Sequence, residues 1–327
     1  MNLVTQNTPK KQHYVPQFLL RNFAVENTER LFTFDKQQNK VFPTTVRDSA
    51  SENGFYNIQG LDDKYTLENE LGDLETLASK VIAKICLSGS ISHLDENEHK
   101  ILCFFTASLL LRVKRQRVFT SQVNYNIAKF ARGLGLEPDT FTNFKELTKE
   151  EIEFQHINFL EEELLTFANE FGDKAIGLLS APIDKSFIIS DNPVVMFSHK
   201  PNRFNSKGTS VPAIEIFLPI SKKLCITFLC MDFYYELAEK IEIIETNRAK
   251  NHELNLVDIS YAQSLIQSIQ TGNANVINEK HVNFVNTRQI VDSWSYIYND
   301  NNDFDFAKRL VEKTPAISLG SIVKSGF

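Results

Sequence analysis

The chain has 327 residues, 42% of them hydrophobic and 26 of them Phe, enough for a sizeable core in one large domain or two closely joined ones. Its net charge of −6, from 35 basic and 41 acidic residues, argues against a protein that coats nucleic acid without specificity. A local basic pocket is still compatible with that balance. The four cysteines, Cys86, Cys103, Cys225 and Cys230, lack zinc-finger and CxxC spacing and read as buried free thiols of a reducing compartment. The N-terminus has no apolar signal core, and no apolar run approaches the roughly 20 residues of a membrane span. A soluble, cytoplasmic protein without a membrane partner is expected.

In chain order, residues 1–11 are polar and predicted flexible, and residues 12–327 are read as one large domain. Pro16 suits a first helical turn, so a helix is predicted from there to Phe23. Residues 30–35 and 40–43 flank Lys36-Gln37-Gln38-Asn39 as a small β-hairpin, and a short strand is expected near Phe55-Tyr56. Leu67, Leu71, Leu74, Ala78, Val81 and Ile85 recur at helical spacing and predict an amphipathic helix over 66–87, stopped at Gly89. Asp95 and Glu98 read as a capping box that opens a nearly all-apolar, central helix running to about Val118. Helix resumes over 121–132, breaks at 133–139, and returns as an acidic helix over 148–171.

After Gly172 the texture changes. Residues 175–181, 186–190, 194–197, 213–219 and 224–230 are short runs of Ile, Leu, Val and Phe between turn residues, which predicts an antiparallel sheet. Helices are expected over 232–248, 258–271 and 303–312. A strand-like run lies near 274–278, and 287–298 is ambiguous. The fold class is therefore α+β: a helical N-terminal half, about 12–172, packed on a small antiparallel sheet with further helices, about 173–327.

Polar residues threaded through apolar segments are the candidate site. His13 precedes a helix start, where an imidazole can act as general acid or base or bind a metal. Gln17 and Arg21 follow at i+4 and i+8 and share its face if the helix extends that far, with Asn22 beside them. An Arg fork in that row suits phosphate or carboxylate, whereas the structural alternative pairs Arg21 with an acidic neighbour. Arg112 ends an apolar run and Arg115 lies three residues on, either a basic wall of an anion pocket or charge complementing a helix C-terminus. Ser190-Asp191-Asn192-Pro193 closes a strand. Asp191 could hold a divalent metal or orient His13, and Asn192 could hold a ligand, against ordinary turn chemistry. Glu68 on the 66–87 helix is a second metal candidate, against a solvated face. The histidines form no HxxxH or HExxH pair, and there is no Walker loop, GxGxxG or GxSxG.

At these residues the chain resembles the family called domain of unknown function 4238. The His13–Phe23 run and the strand-turn Phe187-Ile-Ile-Ser190-Asp191-Asn192-Pro193 carry the likeness. Leu218-Pro219-Ile220-Ser221, the hairpin at 31–43 and Arg112 support it. It spans about residues 12 to 290, and Val113-Lys114 departs from the Arg-x-Pro of the family. The resemblance implies that His13, Gln17, Arg21, Asp191 and Asn192 belong to one constellation, and it supplies no reaction.

Two readings follow. In the first the chain cleaves a phosphoester, as a nuclease or nucleotide hydrolase. His13 is then general acid/base and Arg21 and Arg112 stabilise phosphate charge, while Asp191 holds a metal or orients the His. It implies a nucleic acid or nucleotide partner and leaves the cofactor open, with Mg²⁺ or Mn²⁺ as candidates and no haem, flavin or structural zinc expected. The second reading is a non-catalytic module that binds an anionic ligand or partner protein, its polar residues serving recognition or an internal network.

Overall fold

The computed structural model of the chain describes residues 11–56, 67–136, 147–201, 208–247 and 258–319. Its first strand, β1 (Lys11–His13), pairs antiparallel with β4 (Ser51–Asn53), so His13 lies opposite Ser51. Between them come the five-residue helix α1 (Gln17–Arg21) and the hairpin β2 (Arg30–Asp35) and β3 (Lys40–Thr45). The chain thus enters as a strand, and the short helix begins only after Pro16 has fixed an extended backbone at its N-cap. The strand expected near Phe55-Tyr56 is displaced to β4, and both aromatics follow it in a turn and are buried.

Among the described residues the helices α2 (Leu67–Ser88), α3 (Glu96–Leu111), α4 (Lys114–Gly133) and α5 (Lys149–Gly172) come next. The Asp95 carboxylate accepts from Glu98 N while Glu98 accepts from Asp95 N, both at 2.9 Å, which closes the capping box read from the sequence. Thr148 and Glu151 form a second box at the start of α5. α3 packs against both α2 and α5.

The helix expected to run unbroken to about Val118 is two helices. Arg112 ends α3, and Val113 is extended, with ψ 154°, before α4 begins. The reason is tertiary. Arg112 is fully buried with Nη1 2.8 Å from the Glu75 carboxylate of α2, and the break leaves helix-end carbonyls in need of donors. His156 of α5 supplies one, its Nε2 lying 2.8 Å from Leu111 O. Its Nδ1 faces Arg117 Nε at 3.4 Å. Burial and the Arg117 charge lower the His156 pKa to about 4. The ring is therefore neutral with its proton on Nε2, the tautomer that both partners require.

The second half builds two sheets. β5 (Ala175–Ser180), β7 (Val195–Ser198), β8 (Ile214–Pro219) and β9 (Leu224–Leu229) join β10 (Asn275–Val276) in the order β10-β5-β9-β8-β7. Every residue of β8 and β9 is buried, which is why they read as continuous apolar runs. One contact departs from the expected antiparallel pattern, because β10 pairs parallel to β5. α6 (Met231–Asn247) and α7 (Ser260–Thr271) follow, and α7 packs on β5. The Ser268 hydroxyl of α7 both accepts from Leu178 N and donates to Leu178 O, so a side chain does part of the work of a neighbouring strand. α7 stops at Gly272, whose φ of +68° suits glycine and where a Cβ would fall 2.9 Å from the Ser92 backbone.

The second sheet has the order β3-β2-β11-β6 and uses both ends of the chain. β6 (Ile189–Ser190) and β11 (Tyr296–Asn299) come from the second half, and β11 pairs with β2 of the hairpin. The ambiguous 287–298 stretch resolves into the end of α8 (Glu279–Asp292) and the start of β11. α9 (Asp305–Lys313) covers this sheet with Phe304 and Ala307. The class is α+β, with strands interleaved between the two halves. Among the described residues no helix is long and apolar enough to cross a membrane.

His156 gives a pH test. Its folded pKa lies below the unfolded value of 6.5, so the unfolded chain takes the proton first as pH falls. This contribution is complete above pH 6.5 and is lost progressively down to about pH 4. Between pH 7 and 5 the unfolding free energy from urea titrations should drop by about 2 kcal/mol more in the wild type than in His156→Gln. Equal drops in the two proteins would contradict this placement of the ring.

Candidate functional site

Residues 186–193 and the α8–β11 junction form a buried polar cluster that includes one of the sequence motifs. β6 is an edge strand, paired on one side with β11. Its other side needs partners, because an unpaired buried backbone group is costly. α8 supplies them through amide side chains one helical turn apart. Asn286 accepts from Ile188 N at 3.0 Å and donates to Ser186 O at 2.9 Å. Gln289 accepts from Ser190 N and Ser190 Oγ and donates to Pro193 O at 2.8 Å.

Asp191 and Asn192 face the other way, onto the chain that leaves α8. Asp191 is 1% exposed. Its Oδ1 accepts from Trp294 N, and its Oδ2 from Ser295 N and Tyr296 N, at 2.7 to 2.9 Å. Burial raises its pKa, against the lowering effect of those three N–H groups and of Lys36. Asn192 Nδ2 donates to Asp292 O at 2.9 Å. Lys36, from the β2–β3 turn, is 1% exposed, and its ammonium donates to Ile290 O and Ser293 O at the end of α8. A cation there complements the helix dipole, while burial lowers its pKa to about 8. Arg115 of α4 reaches the same joint, 4.0 Å from the Asp292 carboxylate.

The N-terminal motif divides. His13 is half-buried with Nε2 3.1 Å from Arg47 O. Burial lowers its pKa, against the raising effects of the Arg47 carbonyl and Glu75. Because His13 sits on β1, it does not share a helical face with Gln17 and Arg21. Arg21 is exposed, paired with Glu29 at 2.7 Å and with Gln17 Oε1 at 3.2 Å, so the structural alternative describes it. Asn22 donates to Ile220 O at 2.8 Å and ties α1 to the turn after β8. Arg112 pairs with Glu75 as described above. The structure therefore brings Asp191, Asn192 and Arg115 to one joint, and His13 and Arg112 to the vicinity of Glu75. It pairs Gln17 with Arg21 and leaves Asn22 on a separate task. Of the two metal candidates, Asp191 has both oxygens engaged by backbone N–H groups. Glu68 lies on α2 with its side chain outside the described residues. Among the described residues no three His, Cys, Asp or Glu side chains are grouped to hold a metal ion.

A second buried polar centre was not anticipated. Glu215 of β8 is fully buried and accepts from Thr227 Oγ1 at 2.9 Å and Tyr261 Oη at 2.5 Å, with His199 Nε2 at 2.6 Å. The ring of His199 stacks on Phe233, and that of His281 on Tyr261. Its signal in the sequence was a lone acid inside the apolar run Ile214–Pro219, just as Lys36 was a lone cation in a turn and Asn286 and Gln289 were amides three apart on one helix.

Comparison with known proteins gives one result. A family model described as Protein of unknown function (DUF4238) matches residues 11–303. No curated protein and no solved structure matches the chain.

Two substitutions separate the roles read here. Asp191→Asn keeps the shape but turns an amide NH₂ toward backbone N–H donors, and should lower the unfolding free energy by about 2–4 kcal/mol in urea titrations. Arg21→Ala removes an exposed pair and should cost under about 1 kcal/mol. A neutral Asp191→Asn would remove this residue from the framework.

Proposed function

We propose that this chain, which belongs to the DUF4238 family, is a non-catalytic recognition module in which the motif residues form an internal polar framework. The observation that carries this reading is Asp191, which a metal or a catalytic His would need but which is 1% exposed with three backbone N–H groups on its two oxygens. A carboxylate so engaged has little capacity left to accept a further donor or ligand. Asn22 and Asn192 are directed to main-chain carbonyls in the same manner, and Arg112 to a carboxylate of the neighbouring helix. The joints that result connect the N-terminal hairpin, α4 and the α8–β11 junction, which is what a rigid surface for recognition requires.

Phosphoester cleavage by the same residues is the competing outcome. It would need His13 and Asp191 to meet at a substrate, whereas the His13 ring is hydrogen-bonded to Arg47 O and the Asp191 carboxylate to the main chain of Trp294, Ser295 and Tyr296.

The test is a turnover screen of the purified wild-type protein beside His13→Ala. The substrates are RNA, single- and double-stranded DNA and common nucleotides, with and without Mg²⁺ or Mn²⁺. No turnover is expected from either protein, and His13→Ala should lower the thermal midpoint because Arg47 O loses its partner. Cleavage by the wild type that disappears in a still-folded His13→Ala protein would overturn the proposal.

A further inference from the structure

The buried carboxylate of Glu215 organises a histidine that the motif network does not use. Glu215 is fully enclosed within the apolar strand β8, and its two oxygens divide their partners. Oε1 accepts from the Thr227 and Tyr261 hydroxyls, at 2.9 and 2.5 Å. Burial and the Glu215 charge raise the Tyr261 pKa well above its usual value, so that hydroxyl keeps its proton and donates. Oε2 is left for His199 Nε2 at 2.6 Å. A neutral imidazole that donates from Nε2 carries its lone pair on Nδ1. Among the described residues His199 Nδ1 makes no hydrogen bond, and the side chain is 25% exposed while that of Glu215 is wholly buried. The ring therefore runs from a buried anion to the surface. His156 is the contrast, a structural histidine that spends both ring nitrogens, on Leu111 O and on Arg117.

The orientation of His199 is fixed from further sides. Phe233 of α6 stacks on the ring at 5.0 Å, and Phe197 of β7 meets it edge-on at 5.0 Å. His199 N donates to Ala213 O, and Ala213 is held at a φ of +55°, a left-handed conformation that alanine adopts only under strain. Ser198 Oγ braces the same turn by donating to Lys200 O and Pro212 O.

We propose that His199 is a nucleophilic acceptor site that takes an acyl group on Nδ1 from an activated acyl compound, with Glu215 as its positioning residue. The Nδ1 lone pair attacks the carbonyl carbon. The bond to the leaving group breaks with its electron pair going to that group, and the Nε2 proton passes to Glu215 Oε2. The product is a neutral Nδ1-acyl imidazole beside a protonated carboxyl group. A carboxylate on one ring nitrogen makes the other more basic, as it does for metal-bound histidines, and an adjacent base is what activates a nucleophile. The surroundings favour an uncharged acyl donor over an anionic phosphoryl donor. Glu215 adjoins the ring, and the neighbouring cation Lys200 is committed to Glu236. Phe197 and Phe233 add apolar walls. One uptake per chain requires no turnover, so a chain modified at His199 is still the non-catalytic module proposed above.

The probe is diethyl pyrocarbonate, an uncharged activated acyl compound, added in limiting amount to the full chain. The rate at each histidine is read by peptide mass mapping, with the exposed His93 as internal reference. Accessibility alone would make His93 the faster of the two, whereas His199 should react at least about tenfold faster than His93. Glu215→Gln keeps the side-chain shape and should bring His199 to the rate of His93 or below, leaving His93 unchanged. Its thermal midpoint would show that it is folded. Proton–nitrogen NMR correlations of the imidazole supply a readout that packing alone would not move. His199 should carry its proton on Nε2 in the wild type and lose that preference in Glu215→Gln. The wild-type comparison stands even if Glu215→Gln does not fold. A wild-type His199 no faster than His93, an unchanged rate in the folded variant, or a neutral ring protonated on Nδ1 would overturn the proposal. So would preferential labelling of His199 by phosphoramidate rather than pyrocarbonate, which would assign the site to phosphoryl groups.

Discussion

The arrangement depends on how the edge of a four-stranded sheet is closed. β6 has a strand on one side and a helix on the other, and a helix offers no main-chain donors or acceptors sideways. The gap is filled by side chains that imitate a strand. Asn286 and Gln289 each carry a donor and an acceptor on one planar amide, and their spacing of three places both on the same face of α8. Asp191 closes the next step by collecting three N–H groups where α8 has ended and β11 has not yet found its partner. Each of these polar groups is buried or nearly so, and each is satisfied, which makes the joint favourable and also makes any single loss expensive.

A second joint of the same kind organises the helices. The break between α3 and α4 buries an arginine and frees carbonyls, and both consequences are met by neighbours: Glu75 from α2 for Arg112, and His156 from α5 for Leu111 O. Arg117 completes it, with its guanidinium 3.7 Å over the Phe55 ring and Nη1 3.7 Å from Glu153. His156 can bridge the two only as the neutral ring, because an imidazolium would face Arg117 with a second positive charge. The geometry of the helices and the protonation state of one side chain are thus linked.

The motif residues have the chemistry of a hydrolase and the connections of a framework. His, Arg, Asp and Asn are the types that handle phosphate and protons, and they are also the types that cap helices and satisfy turns. Which role they take depends on what faces them. For Asp191 it is main-chain N–H, for Arg21 a solvent-exposed glutamate, and for Asn22 a carbonyl nearly two hundred positions away in sequence.

The sequence by itself determined the α+β class and those local elements whose signals are short-range. The period of the 66–87 helix, the Asp95–Glu98 capping box and the apolar strand runs after Gly172 depend on residues within a few positions of one another, so they are legible without tertiary knowledge. The tertiary structure decided everything that joins distant segments. Nothing near Arg112 announces a helix break, because its cause is Glu75 and the buried site between α2 and α5. Nothing near the hairpin announces that β2 pairs with β11, because that register is set by residues 296–299. The candidate site was legible as residue types at given positions and illegible as roles. A side chain's role is set by the donors, acceptors and water around it, and these come from parts of the chain that only folding brings together.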